Sequence, residues 1–126
     1  MNADKVDDIM RHWLKLEKLD VFVAHEFAGV QTVAEKWSIV KSFWAGTKPA
    51  FGGAPVTETV LEIVIDTRAR NATLRGDFVW DLKAVGKLTG KYIAACQKDK
   101  GVWKIRAIDF GDKTRRIKPI KKKPPQ

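Results

Sequence analysis

The sequence predicts an α+β fold built on a strongly bent, mostly antiparallel sheet, and three observations predict it. Residues 72–83 alternate, with Ala72, Leu74, Gly76, Phe78, Trp80 and Leu82 on one parity. Thr73, Arg75, Asp77, Asp81 and Lys83 fall on the other, broken only by Val79. Successive strand side chains point to opposite faces, so this is a half-buried central strand with one face to the core. Residues 4–18 carry Val6, Ile9, Met10, Trp13, Leu14 and Leu16 at helical spacing, which gives an amphipathic helix to cover that face. From residue 57 to residue 110, strand-like runs follow one another with short turn signals between them, which is the pattern of a meander.

The elements follow in chain order. Asp4, Asp7 and Asp8 sit in the first turns of the opening helix, where the helix dipole favours carboxylates. Residues 19–30, rich in β-branched and aromatic side chains, read as a strand, with Gly29 placed for a bend or turn. Thr32-Val33-Ala34-Glu35 has the capping-box spacing, which predicts a helix from there to about Trp44, stopped by Ala45-Gly46. Residues 47–55, with two prolines and a glycine pair, read as a loop. Residues 57–66 form a strand with both faces partly covered, and 68–71 a turn. The central strand is followed by a hairpin connection at 85–90, a strand at 91–97, a tight turn at 98–101 ending in Gly101, and a closing strand at 102–110. In that last strand Trp103, Ile105 and Ala107 are expected to face inward, and Lys104 and Arg106 outward.

Size and composition narrow the classes. A chain of 126 residues makes one domain with a core large enough to need no staples. A single cysteine, Cys96, excludes an intramolecular disulfide and reads as a buried, inert thiol. No apolar run reaches the roughly 20 residues of a membrane span, and the acidic N-terminus has no following apolar stretch, so the expected location is the cytoplasm. The formal charge of +9 is concentrated in residues 111–126, which carry +6. The expectation is therefore one domain over 1–111 followed by a basic, proline-containing, mobile tail over 112–126 that buries almost nothing.

This order of elements resembles the cone-shaped, cystatin-like fold of the nuclear transport factor 2-like superfamily, in particular its SnoaL and ketosteroid-isomerase-like branch. Three places carry the likeness. They are Trp13 leading into Leu19-Asp20, the run from Glu35 through Trp37 to Phe43-Trp44, and the ending Gly90-Lys91-Tyr92 … Lys100-Gly101-Val102-Trp103-Lys104-Ile105. The resemblance spans residues 4–111. It implies an apolar cavity enclosed by the curved sheet and the first helix, with polar groups inside it as candidate chemistry, and dimerisation through the outer sheet face in many members.

Three residues are candidates for acid/base work in such a cone. Asp109 shares the parity of Trp103, Ile105 and Ala107, and a carboxyl in an apolar pocket has its pKa raised by desolvation; the alternative is that the strand ends there and Asp109 meets water. Glu17 lies on the apolar arc of the first helix and His25 on the Val21/Val23/Phe27 parity, so both can point into one cavity as a carboxylate–imidazole pair. The alternative is a solvated Glu and a structural His. His12 reads as a surface residue. Trp13, Trp80, Tyr92 and Trp103 are candidate walls for a small apolar ligand, or simply core. Arg75-Gly76-Asp77 inside a regular strand is not an adhesion motif. Two histidines and one cysteine without ligand spacing point to no metal, and Gly52-Gly53 lacks the residues of a phosphate loop, so no cofactor is expected.

Two functions remain open at this point. One is binding of a small, largely apolar ligand, with isomerase, dehydratase or hydrolase chemistry as an extension. The other is a non-catalytic homodimeric interaction module whose tail, through Arg115, Arg116, Lys121, Lys122 and Lys123, contacts an acidic partner or nucleic acid. No nucleic-acid reader motif accompanies that tail.

Overall fold

A computed structural model describes residues 3–27, 29–51, 56–81 and 86–121, with the side chains of 3–5, 27 and 47–51 left out. The order is α1 (Ala3–Met10), β1 (Phe22–Phe27), β2 (Val30–Glu35), α2 (Trp37–Phe51), β3 (Val56–Ile65), β4 (Asn71–Asp81), β5 (Lys87–Asp99) and β6 (Val102–Phe110). The six strands form one curved, unclosed sheet in the order β2-β1-β6-β5-β4-β3. All neighbours are antiparallel except β1 and β6, which run parallel. No helix among the described residues is long and apolar enough to cross a membrane.

The central strand is as the alternation predicts. Ala72, Gly76, Phe78 and Trp80 are buried and Leu74 is half-buried, while Leu82 and Lys83 lie outside the described residues. The face they share is concave and packs under α2 with Met10, Trp13, Val21, Val23, Val40, Tyr92, Ala94, Ile108 and Phe110.

The N-terminal half departs from the sequence pattern. The opening helix is not residues 4–18: α1 ends at Met10. His12–Leu14 then run strand-like beside β6, with the Ile105 amide donating to the His12 carbonyl and the Leu14 amide to the Ile105 carbonyl, each at 2.7 Å. A β-pairing partner far along the chain thus outweighs the helical spacing of Trp13, Leu14 and Leu16. The run 19–30 ends as a strand at Phe27, and Gly29, at φ +81°, reverses the chain into β2. Thr32 and Glu35 lie in β2 and cap nothing, because Glu35 pairs with Phe22 and Thr32 with His25 across the hairpin. The helix starts later, after Lys36 at φ +77°, whose carbonyl accepts from the Ile39 and Val40 amides at 3.1 and 2.9 Å. It also continues through the expected stop to Phe51, since Gly46 costs a helix only about 1 kcal/mol without forbidding it. The rest of the expected loop, residues 52–55, lies outside the described residues.

β5 begins at Lys87, within the segment read as a hairpin connection. Gly90 faces Phe78 across β4 and Gly76 faces Tyr92, so each glycine lies against an aromatic ring of the neighbouring strand. β3 is less covered than its sequence suggests: Leu61, Ile63 and Ile65 are exposed, and Leu61 is an extra residue between the pairs Val60–Gly76 and Glu62–Arg75.

A second bulge sets the faces of β6. The register passes from Ala95↔Ala107 to Cys96↔Ile105, so Arg106 is extra. Ile105 stays with the concave core, but beyond the bulge it is Ile108 and Phe110 that face inward. Ala107 and Asp109 turn to the convex face, against the expected parity. On that face Ala107 packs with Phe22, Ala24, Ile93, Ala95 and Ile117.

Ile117 belongs to the segment read as a tail, yet it is buried. Residues 111–121 lie as a strap across the convex face. The Gly111 amide donates to the Lys91 carbonyl at 2.6 Å, and the Ile120 amide to Thr73 Oγ1 at 3.1 Å. Between them the Arg116 guanidinium lies 4.0 Å from the Phe22 ring centroid, pairs with Glu35 at 2.8 Å and donates to the Leu19 carbonyl at 2.8 Å. The convex face that the family resemblance assigns to dimerisation is thus covered over β1, β6, β5 and part of β4 by the chain's own C-terminal segment.

Candidate functional site

Glu17 is exposed and lies on no helix. Its carboxylate accepts from the Ser38 amide at 3.0 Å and the Ser38 hydroxyl at 2.9 Å, so it caps α2 from 21 positions away. The expected Glu17–His25 pair therefore does not form, because the carboxylate is committed to the helix N-terminus.

Asp109 is fully buried, neither open to water nor facing the cone. Its carboxylate accepts from the Lys113 amide at 3.3 Å, the Thr114 amide at 3.0 Å and the Thr114 hydroxyl, which fastens the start of the strap. The Arg106 bulge is what puts it there.

His25 does reach the concave face. Its ring lies 5.3 Å from Phe43 and 5.8 Å from Trp80, and its Nδ1 is buried with no hydrogen-bond partner among the described residues. Burial lowers its pKa below the ordinary 6.5. The sign follows: the unfolded chain takes up this proton more readily than the folded one. Stability from the neutral ring is then full above the unfolded pKa and is lost as pH falls through it toward the lower folded value. Urea midpoints should drop between about pH 7.5 and about pH 5.5, and His25→Leu should shrink that drop. An unchanged pH dependence in the variant would refute the assignment.

Of the expected walls, Trp13 and Trp80 are buried core residues and Trp103 is exposed, with the Lys98 ammonium 5.5 Å from its ring centroid. The interior of the cone is occupied by rings: Phe43, Trp44, Phe78, Trp80 and Phe110 contact one another at centroid distances of 5.0 to 6.5 Å. The deep polar cavity expected from Glu17, His25 and Asp109 together is absent among the described residues.

Tyr92, like His25, Trp37 and Asp112, has a buried polar atom without a partner among the described residues. It is 3% exposed, it faces Gly76 from β5 on the concave side, and its hydroxyl is buried without a partner among the described residues. Burial raises its pKa, and the Glu58 carboxylate adds to the rise. Glu58, opposite Phe78 on β3, was not recognised from the sequence. Its whole side chain counts as exposed, yet desolvation raises its carboxyl above the usual 4.5, as expected where the carboxylate end lies against the apolar face. The available signal was its parity with Val56 and Val60. Cys96 is half-buried and burial pushes its thiol up to about 11, so it is not a thiolate at neutral pH.

Two shallow surface concavities lie elsewhere, neither lined by Tyr92, His25 or Glu58. One, of about 490 Å³, is at Arg70, Asn71, Gln97, Lys98 and Gly101; the other, of about 350 Å³, is between α1 and β6 at Met10, Arg11, Trp13, Trp37 and Lys104. Three of the five described tail cations pair within the chain, and Lys118 is exposed. Lys113 pairs with Glu26 at 3.8 Å, Arg115 with Asp112 at 3.1 Å and Arg116 with Glu35, while Lys121 is exposed and Lys122 and Lys123 lie outside the described residues.

No family model matches the sequence, and no curated protein does. Solved structures do match the fold. A nuclear transport factor 2-like protein of unknown function from Shewanella oneidensis is 16% identical with a TM-score of 0.64, over 82% of this chain and 80% of that one. A candidate calcium/calmodulin-dependent protein kinase type II association domain from Thiobacillus denitrificans is 14% identical with a TM-score of 0.66, over 85% and 81%. A candidate scytalone dehydratase from Novosphingobium aromaticivorans is 18% identical with a TM-score of 0.59, over 82% and 68%. At these identities the likeness is one of fold.

Proposed function

We propose, from the nuclear transport factor 2-like fold that this chain adopts, that it binds a small, flat, largely apolar ligand against the concave face beside β3, β4 and β5, in place of part of the ring packing there. The ligand's one polar group would be held by the Tyr92 hydroxyl, with Glu58 and His25 as further polar groups of that face. The observation that supports this reading is the Tyr92 hydroxyl itself. A buried hydroxyl without a partner destabilises the chain by roughly 1–3 kcal/mol, and a ligand that accepts from it recovers that loss. The aromatic rings supply the apolar contact area. Proton transfer by Glu58 or His25 is the chemical extension of the same site, each group being displaced toward neutrality by burial.

The basic-tail reading has less behind it, since Lys113, Arg115 and Arg116 already hold acidic side chains of the same chain.

The test uses 2-naphthol as probe and amide NMR shifts as readout. Binding should move Gly76, Gly90 and Tyr92 and leave the strap residues unmoved. Tyr92→Phe should raise stability to urea by about 1 kcal/mol, because it deletes a buried hydroxyl unpaired among the described residues, and weaken the probe about tenfold. A destabilised Tyr92→Phe, or a variant that binds as tightly as the parent, would refute the assignment.

A further inference from the structure

The sheet has two edges, β2 and β3. β2 is 6 residues long and α2 packs against it. β3 is 10 residues long, and no strand meets its outer side among the described residues. Natural sheet edges are blunted by shortness, lysine, proline, bulges or inward-pointing charges, because an open edge is a template for another strand; β3 has a bulge at Leu61 and Glu58 on its concave side. β3 reads V-T-E-T-V-L-E-I-V-I, with neither lysine nor proline, and Leu61, Ile63 and Ile65 are 62, 57 and 53% exposed.

We propose that β3 pairs antiparallel with β3 of a second copy of this chain, about a two-fold axis between Val60 and Leu61. Strands pair in register only where residues opposite one another share a face. The Leu61 bulge gives β3 a face pattern that reads the same from both ends. Val56, Glu58, Ile63 and Ile65 stand opposite the concave-face residues Trp80, Phe78, Leu74 and Ala72, and Thr57, Thr59, Glu62 and Val64 opposite the convex-face residues Val79, Asp77, Arg75 and Thr73. About the stated axis, Val56 meets Ile65, Thr57 meets Val64, Glu58 meets Ile63, Thr59 meets Glu62, and Val60 meets Leu61. Each regular pair shares a face, all ten residues pair, and no carboxylate opposes another. Centring the axis on Val60 sets Glu58 against Glu62, and centring it on Leu61 sets the concave Val60 against the convex Glu62. Like charges directly opposite one another disfavour a pairing.

This face pattern, symmetric about one axis and with no carboxylate opposed to another, points to an isologous partner, a second copy, rather than an unrelated peptide. The last hydrogen bond of the strap among the described residues, from the Ile120 amide to Thr73 Oγ1, falls on β4, one strand in from this edge. An edge of about 33 Å, at about 3.3 Å per residue, buries less than the roughly 800 Å² per partner of a standard interface. The dimer is therefore reversible.

Sedimentation velocity on the full chain, from about 1 µM to about 1 mM, tests this. The mass should rise from 14.2 kDa toward twice that value. Ile63→Glu, which sets a second carboxylate directly opposite Glu58 of the other copy, should shift the midpoint upward at least about tenfold, whereas Ile9→Lys, which alters an exposed aliphatic residue on α1, should leave it unchanged. Circular dichroism checks the fold, and if Ile63→Glu does not fold, Leu61→Lys serves in its place. A chain that stays monomeric throughout, a dimer indifferent to the folded β3 variant, or one equally sensitive to Ile9→Lys would each overturn the proposal.

Discussion

Asp109→Ala is expected to destabilise the protein by about 3–5 kcal/mol, a large share of the roughly 5–15 kcal/mol by which domains of this kind are stable. The carboxylate is fully buried and accepts from two strap amides and the Thr114 hydroxyl. Hydrogen bonds to a charged acceptor contribute about 1.5–3 kcal/mol each, and removing the acceptor strands their donors. The strap would then lose its anchor, and the apolar patch of Phe22, Ala24, Ile93, Ala95 and Ala107 would lose the Ile117 side chain that covers it. Urea denaturation should show a lower midpoint, and limited proteolysis should cut first within 111–121. Asp109→Asn should fall between, since an amide keeps the size but not two accepting oxygens. A loss below about 1 kcal/mol, with the strap still protected, would mean that Asp109 is not its anchor. The stability measurement has to precede any activity assay, because an unfolded Asp109 variant looks the same as a catalytically dead one.

Gly76→Ala should cost at least about 4 kcal/mol, in the range reserved for specific structural damage. A Cβ built on Gly76 would stand 1.8 Å from the Thr59 carbonyl oxygen, 2.9 Å from the Thr59 carbonyl carbon and 3.0 Å from Tyr92 Cε1. Two of these neighbours are backbone, so no rotamer change relieves the clash, and β3 must part from β4. Gly90→Ala makes the comparison, since the nearest atom there is a Phe78 ring carbon at 3.2 Å, a side chain that can give. Urea midpoints should rank parent, Gly90→Ala, then Gly76→Ala. A Gly76→Ala protein as stable as the Gly90→Ala one would show that β3 does not approach β4 so closely.

These two residues also mark how far the sequence could be read. Gly76 lies on a strand whose alternation is broken only by Val79, and that strand is where expected. The same holds for the meander, for Gly101 at its tight turn and for the burial of Phe78 and Trp80. Asp109 lies beyond an inserted residue. Counting by twos from Trp103 puts it inside, and the Arg106 bulge puts it outside. Nothing local in Lys104-Ile105-Arg106-Ala107 announces the insertion, because a bulge is set by what the neighbouring strands require.

The candidate site divides the same way. Tyr92 and His25 are on the concave face that their parity gives them, whereas Glu17 was placed by a helix that stops at Met10. The capping-box spacing of Thr32 and Glu35 is equally a strand spacing, and only the hairpin with β1 decides between them.

Local pattern was sufficient wherever one side chain period ran without an inserted residue, and it determined the α+β class, the bent antiparallel meander and the identity of its central strand. Tertiary structure alone decided the faces beyond each bulge, the early end of α1, the cap supplied by Glu17 and the folding of a basic, proline-rich segment onto the convex sheet. Each of these depends on a contact between residues distant in sequence, and the free energy of such a contact is not encoded in the spacing of either partner.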